Sequence, residues 1–263
     1  MNFRNRCTII FSLHRYDSKI FLLLSEWIFM TRLRWFGHSA FLLEIDRKKV
    51  LIDPWLSNPK SPVKPDDVCA DIILITHDHG DHLGEAFDIA KRCNATIVCL
   101  YELAQEAKKV GVKKVIDCNI GGPVDIDGLK IVYTPAVHSA KYAPPTGVVI
   151  IGKKITVYHA GDTGVFGDMQ LIGELYAPDV AILPIGGHYT MGPKEAAVAT
   201  RLIEPRLVIP MHYGTFPILK GTVEEFKKEL EARAIAIPVI APSPGEWVNL
   251  EEHLKSLDSR SIS

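Results

Sequence analysis

Apolar runs with strand character, alternating with helix-like segments, constrain the fold more than any other feature of the sequence. Turn-forming residues bound the runs, and tight turns at 46–48 and 152–154 join two pairs of them into hairpins. The predicted strands are 32–36, 40–45, 49–52, 72–76, 96–100, 114–118, 130–134, 147–151, 155–159, 180–185, 207–209 and 237–241. The predicted helices are 85–93, 102–110, 168–176, 193–204 and 223–234.

Both halves of the chain are rich in strands, and helical segments flank each half. A sheet is stable only when its apolar face is buried against another layer. We therefore predict an α/β fold, a four-layer αββα sandwich in which two mixed β-sheets pack face to face and helices cover the outside. Loops that follow the strands are expected to converge on one edge of the sheets, where functional residues commonly lie.

The length of 263 residues, 47% of them hydrophobic, fits one large domain or two small ones, and we assign residues 31–250 to a single domain. Residues 1–30 are predicted to be an N-terminal extension, with Met30 as the start of the native protein. The apolar stretch 20–30 is too short for a membrane helix, which needs about 20 apolar residues. Residues 251–263 are expected to form a solvated C-terminal tail.

Charge and cysteine content narrow the range of partners and compartments. The chain has 30 Lys plus Arg against 31 Asp plus Glu, so no overall field attracts it to nucleic acid or to an anionic membrane. Its five cysteines are odd in number and form no CxxC pair, which argues against a disulfide framework and a thiolate zinc site. We expect buried thiols in a reducing compartment, the cytoplasm. A homo-oligomer remains open.

The sequence Thr76-His77-Asp78-His79-Gly80-Asp81-His82 directly follows a predicted buried strand. Imidazole nitrogens together with carboxylates suit Zn, Mn or Fe. Ligands in such a tight loop cannot all reach one ion with good geometry, so two neighbouring ions are predicted. The missing ligands should also follow strands, and three residues do so: His138, Asp162 and His212.

Other polar residues beside these motifs have two interpretations each. Asp53 either orients a ligand histidine through its second ring nitrogen or caps the turn at Pro54. His38, His159 and His188 could donate a proton to a leaving group or bind an anionic substrate, or could make structural hydrogen bonds. His38 and His188 are the preferred catalytic candidates because both lie in Gly-containing loops. Asp78 is expected to point away from the ions and to hold the loop in place.

The H-x-H-x-D-H loop, the later lone His, the Asp after a strand and the final His resemble the metallo-β-lactamase superfamily over residues 33–247. Within it, the chain is most similar to the UPF0173 group of predicted metal-dependent hydrolases, relatives of the ascorbate-6-phosphate lactonases. Three segments carry this narrower resemblance, namely 35–40 (WFGHSA), 158–163 (YHAGDT) and 190–193 (TMGP).

The resemblance implies a ligand set and a reaction. One ion would be held by His77, His79 and His138, the second by Asp81, His82 and His212, with Asp162 bridging both and Asp81 and Asp162 acting in catalysis. The expected cofactors are two divalent transition-metal ions, with Zn preferred and Mn or Fe as alternatives. A hydroxide held between two cations is nucleophilic at neutral pH, so the expected function is hydrolysis of a small ester, lactone or phosphoester.

Alternatives within the same fold are weaker. A metal-dependent nuclease or phosphodiesterase is the main one, but only 49 residues separate Asp162 from His212, too few for the large domain that nuclease branches insert there. A flavodiiron-type redox centre would have Glu where His79 stands. Thiol-transfer enzymes such as glyoxalase II bind substrate with a helical C-terminal extension, whereas here 51 residues follow His212 and one predicted helix and one predicted strand use most of them. A non-enzymatic protein with a purely structural metal site would have a closed, mononuclear site. We therefore expect a small-molecule substrate, with no nucleic acid and no membrane as partner.

Overall fold

Two β-sheets form the centre of the protein, and the computed structural model describes residues 30–260. The strands in chain order are β1 Arg32–Trp35, β2 Phe41–Ile45, β3 Lys48–Ile52, β4 Ile72–Leu74, β5 Thr96–Leu100, β6 Lys114–Cys118, β7 Pro123–Ile126, β8 Leu129–Pro135, β9 Thr146–Ile151, β10 Thr156–His159, β11 Val180–Pro184, β12 Leu207–Met211 and β13 Trp247–Asn249. The helices are α1 Gly80–Leu83, α2 Ala86–Cys93, α3 Tyr101–Lys109, α4 Met169–Tyr176, α5 Pro193–Ile203, α6 Val223–Glu231 and α7 Leu250–Arg260, with a 3₁₀ turn at Pro65–Asp67.

The first sheet has the strand order β13-β1-β2-β3-β4-β5-β6 and the second β12-β11-β10-β9-β8-β7. Both sheets are mixed. In the first, β1 to β3 pair antiparallel and β3 to β6 parallel. In the second, β10 to β12 pair parallel and β7 to β10 antiparallel.

Alternation along the strands of the first sheet produces two separate cores. In β3, Val50 and Ile52 belong to the core shared with the second sheet, whereas Leu51 points to the other face and packs with residues of α2 and α3. Successive strand residues face opposite sides of a sheet, so one strand serves both layers. Helices α4 and α5 pack against each other, as do α5 and α6, and α5 contacts β11 on the second sheet. The predicted four-layer αββα sandwich is confirmed.

Several sequence-based expectations were wrong. Residues 251–263 are not a solvated tail along their described length, because α7 covers 250–260 and buries Leu250 and Leu254. Residues 237–241 form only a single bridge, Val208 to Val239, instead of a strand. Strands β7 and β13 were not predicted.

The expectation that the cysteines are free thiols was also wrong for one pair. Cys69 and Cys93 form a disulfide that joins the loop before β4 to the end of α2, while Cys99 and Cys118 are free. The N-terminal extension lies outside the described residues, except for Met30. Every helix within residues 30–260 is too short or too polar to cross a membrane.

Candidate metal centre

Seven ligand-type side chains converge at one edge of the two sheets. Each follows the end of a strand: the loop 76–82 follows β4, and the segments after β8, β10 and β12 supply the remaining three. The structure groups them, with one additional histidine, into three overlapping sets: His77, His79 and His138; His77, His82 and Asp162; and His38, Asp81, His82 and His212. Within each set the donor atoms lie within 4.8 Å of one another. The structure thus brings together all seven residues that the sequence nominated as ligands.

The first cluster consists of three imidazoles. His77 Nε2 lies 3.1 Å from His79 Nδ1, and His138 Nε2 lies 3.3 Å from the same His79 atom. His77 is buried, whereas the His138 side chain keeps 11% of its surface exposed. This cluster therefore reaches solvent on the His138 side.

Asp162 lies between the first cluster and a second one, the set of His38, Asp81, His82 and His212. Its Oδ1 is 3.1 Å from His82 Nε2, and its Oδ2 is 3.1 Å from His212 Nε2 and 3.6 Å from His138 Nε2. Burial opposes ionisation of Asp162, but His82 and His212 beside it hold its pKa well below the usual range. The carboxylate therefore contacts histidines of both clusters.

Buried atoms without hydrogen bonds show that the donors fit metal ions. His82 Nε2, Asp162 Oδ1 and both ring nitrogens of His212 are buried and make no hydrogen bond. Native proteins rarely leave such atoms unpaired unless an ion or water satisfies them. Burial lowers the pKa of His77 to about 2, so its imidazole is neutral and keeps a lone pair at neutral pH. Nitrogen and carboxylate donors of this kind suit Zn, Mn or Fe.

Asp53 fixes the orientation of His82 from behind. Its buried carboxylate accepts hydrogen bonds from His82 Nδ1 at 2.7 Å, from the Thr76 backbone N–H at 2.8 Å and from Thr76 Oγ1 at 2.6 Å. A proton on Nδ1 leaves the Nε2 lone pair of His82 to face Asp162 and the cluster. Burial opposes ionisation of Asp53, but His82 holds its pKa below the usual value. Of the two interpretations of Asp53, these contacts favour the orienting one.

Thr76 extends this support to the first cluster. Because its hydroxyl proton goes to Asp53, its oxygen accepts from His77 Nδ1, 3.1 Å away. The His77 Nε2 lone pair then faces His79 and His138. Sequence reasoning did not nominate Thr76, although its place between the strand and the first ligand was a usable signal.

Three residues of the site have a strained backbone. His38, Asp53 and His212 have positive φ although they are not glycine, at 52°, 45° and 53°, and His188, which lies outside the ligand groups, has φ 64°. Such conformations cost about 1–3 kcal/mol each and persist where the surrounding structure enforces them. Gly161, at φ 61°, precedes Asp162, and a Cβ there would lie 2.2 Å from the Thr146 carbonyl oxygen. Only glycine fits at this position.

Two further nominated residues make structural hydrogen bonds. Asp78 accepts from the backbone N–H groups of Lys141 and Tyr142, each at 3.0 Å, and so holds the loop that follows His138. His159 is fully buried, with its Nε2 3.1 Å from the Ser39 carbonyl oxygen and its Nδ1 accepting from the Gly161 N–H. Neither residue belongs to a ligand group among the described residues.

The two preferred catalytic histidines lie in different surroundings. His38 is fully buried, and its Nε2 is 3.1 Å from Asp81 Oδ2. His188 is exposed, with its ring edge-on to Tyr189 at 4.4 Å, and it lines a cavity of about 510 Å³ with Lys194 and Lys220. Among the described residues His188 belongs to none of the ligand groups.

The chain is similar in sequence to a known family and to hydrolases within it. The family described as "Beta-lactamase superfamily domain" matches residues 32–212. A UPF0173 metal-dependent hydrolase of Thermofilum pendens is 53% identical over 227 residues, covering 83% of this chain and 99% of the relative. The one from Methanopyrus kandleri is 52% identical over 225 residues, covering 82% and 98%.

Solved structures of two hydrolases share this fold. Igni18, a metallo hydrolase from the hyperthermophilic archaeon Ignicoccus hospitalis, superposes with a TM-score of 0.79 and 44% identity over 83% of this chain and 97% of its own. An isothiocyanate hydrolase from Delia radicum gut bacteria shares the fold, with a TM-score of 0.69 at 20% identity over 82% of this chain and 98% of its own.

Proposed function

Because the chain belongs to the UPF0173 metal-dependent hydrolases of the beta-lactamase superfamily, we propose that it is a binuclear hydrolase acting on a small ester, lactone or phosphoester. One observation carries the proposal: Asp162 lies between two ligand clusters, and it has, together with His82 and His212 beside it, buried donor atoms that make no hydrogen bond. A single closed structural site would not need a carboxylate between two clusters.

The ligand residues divide into two sets under this proposal. His77, His79 and His138 would hold one ion, and Asp81, His82 and His212 the other, with Asp162 shared. Bound ions would supply a hydroxide nucleophile and polarise the carbonyl or phosphoryl oxygen of the substrate. Zinc suits this donor set, with manganese or iron as alternatives.

Other roles under this proposal belong to side chains around the ions. Asp53 and Thr76 orient the ligand imidazoles from the buried side. Asp81 is the carboxylate on the open side, with 29% of its side chain exposed, so it would hold the second ion where a substrate can reach it. Since the sequence has no GxSxG motif, no serine of that type is assigned as a nucleophile.

A small-molecule substrate and a cytoplasmic location remain part of the proposal. The balanced charge supports a small-molecule substrate, because no overall field attracts the chain to nucleic acid. The Cys69–Cys93 disulfide removes one argument for the second, although disulfides persist in intracellular proteins of hyperthermophiles, and Igni18 comes from such an organism.

Metal analysis combined with a substrate screen tests the proposal. Purified protein should contain about two transition-metal ions per chain and should hydrolyse at least one lactone, carboxylic ester, thioester or phosphodiester. Asp81→Ala should abolish turnover and leave the circular dichroism spectrum unchanged. Asp125→Ala, which changes an exposed carboxylate of β7, is the matched control and should keep wild-type activity. Metal-free active protein, or full activity in Asp81→Ala, would contradict the assignment.

A further inference from the structure

The backbone of His38 is held on both sides. Its carbonyl oxygen accepts from the Trp35 indole N–H at 2.9 Å and from the backbone N–H of His212 at 3.0 Å. The preceding Gly37 has φ 93°, and a Cβ there would lie 2.5 Å from Asn58 Oδ1. The position of the His38 ring is therefore coupled to the segment that supplies the ligand His212.

The His38 ring has no access to a substrate. Its exposure is 0%, and it is enclosed by the rings of Trp55, Phe216 and His212, whose centroids lie 5.3, 5.5 and 3.9 Å away. A group that transfers a proton to a leaving group must come within hydrogen-bond reach of it. His38 therefore cannot act there directly.

Two polar contacts define what the ring can do. His38 Nε2 lies 3.1 Å from Asp81 Oδ2, and His38 Nδ1 lies 3.1 Å from Thr215 Oγ1. An ionised carboxylate only accepts hydrogen bonds, so Nε2 carries the ring proton and its N–H donates a hydrogen bond to Asp81. In the neutral ring Nδ1 is then an acceptor, and the Thr215 hydroxyl donates to it.

We propose that His38 is a positioning residue whose Nε2–H holds Oδ2 of Asp81, and that Thr215 fixes the ring tautomer that makes this bond. Asp81 then has one oxygen held in place, and its carboxylate would help His82 and His212 to hold the second ion. This inference rests on the proposed function, because Asp81 is counted there among the ligands of that ion. It replaces the role of His38 as a proton donor to the leaving group, and also a role as a direct ligand beside Asp81, His82 and His212.

Zinc affinity of the apoprotein, measured by competition with a chelator, tests the assignment without relying on turnover. His38→Leu should weaken binding of the second zinc ion about 10- to 100-fold, the usual effect of removing a residue that orients a ligand. His38→Gln should lose less than Leu, because its amide places a donor near the position of Nε2. Thr215→Val should weaken binding, and Thr215→Ser should restore it. His253→Leu, at an exposed histidine of α7, is the matched control and should bind like wild type.

The outcomes separate the three roles. If His38→Gln loses as much affinity as His38→Leu and Thr215→Val loses none, His38 is a direct ligand and the proposal is wrong. If His38→Leu binds both ions normally but has a reduced kcat, His38 acts on the reaction and the proposal is again wrong. If His38→Leu does not fold, the Thr215 pair decides the matter, since equal affinity in Thr215→Val and Thr215→Ser overturns the proposal. A protein that binds two ions but hydrolyses nothing contradicts the proposed function alone.

Discussion

Asp53→Asn removes one charge and changes almost no volume, so it isolates the electrostatic support of His82. The native carboxylate accepts three hydrogen bonds, one at Oδ1 from the Thr76 N–H and two at Oδ2 from Thr76 Oγ1 and His82 Nδ1. An amide has a single acceptor oxygen. If that oxygen faces the two donors at Oδ2, the amide nitrogen faces the Thr76 N–H, and at least one hydrogen bond is lost.

The expected magnitudes follow from these contacts. A hydrogen bond to a charged group contributes about 1.5–3 kcal/mol, so the free energy of unfolding of the metal-free variant should fall by roughly that amount. Residues that orient metal ligands typically affect metal affinity about 10- to 100-fold, which corresponds to about 1.4–2.7 kcal/mol. The additional stability that saturating zinc confers should fall by this second amount.

Urea unfolding of Asp53→Asn with and without zinc measures both quantities. The matched control is Asp127→Asn, since Asp127 pairs with Lys48 on the surface and its side chain is 56% exposed. Surface ion pairs contribute about 0–1 kcal/mol, so this variant should unfold like wild type and keep the full effect of zinc. An Asp53→Asn protein that zinc stabilises as much as wild type would refute the reasoning that Asp53 orients His82.

Three further predictions concern the disulfide, a free thiol and a glycine beside the ligand Asp162. Replacing Cys69 and Cys93 by serine should lower the free energy of unfolding by about 3 kcal/mol, from the loop-closure entropy of a 24-residue separation, and an unchanged urea midpoint would contradict this. Burial raises the pKa of the Cys118 thiol to about 12. Iodoacetamide at pH 8.5 should therefore alkylate Cys118 slowly in folded protein and quickly in urea, as measured by peptide mass spectrometry. Equal alkylation rates in folded and unfolded protein would refute the raised pKa. The same shift makes the folded state lose stability as pH rises above the pKa of the unfolded thiol toward 12. Gly161→Ala should cost at least about 1–3 kcal/mol, because its Cβ would meet a carbonyl oxygen, whereas Gly167→Ala, with nothing within 4 Å, should unfold at nearly the wild-type temperature.

Local patterns predicted most of the secondary structure. The strands at 96–100 and 114–118 match the structure residue for residue. A strand of this kind can be predicted because its signal, a short apolar run between turns, lies within a few neighbouring residues. The metal-ligand residues could also be predicted from local sequence, by their positions after predicted strands. His77, Asp162 and His212 each follow a predicted strand, and strands of one sheet present their following loops at a shared edge.

Elements that depend on distant partners were missed. Strand β13 contains only three residues and pairs with β1, where Leu33 lies opposite Val248. Helix α7 buries Leu250 and Leu254 within a mostly polar sequence. Cys69 and Cys93 lie 24 positions apart, and their spacing carries no signal of contact. In each case the stabilising partner is far away in sequence.

The amino-acid sequence alone determined the layered architecture and the chemistry of the metal donors, since both depend on residue type and short-range spacing. Only the tertiary structure decided which groups hydrogen-bond to the metal-donor side chains and orient them. Asp53 supports His82, and Thr215 reaches Asp81 through His38, across 177 positions between Thr215 and His38. Hydrogen-bond partners of buried groups are set by distance and orientation in space, which periodicity along the chain does not encode.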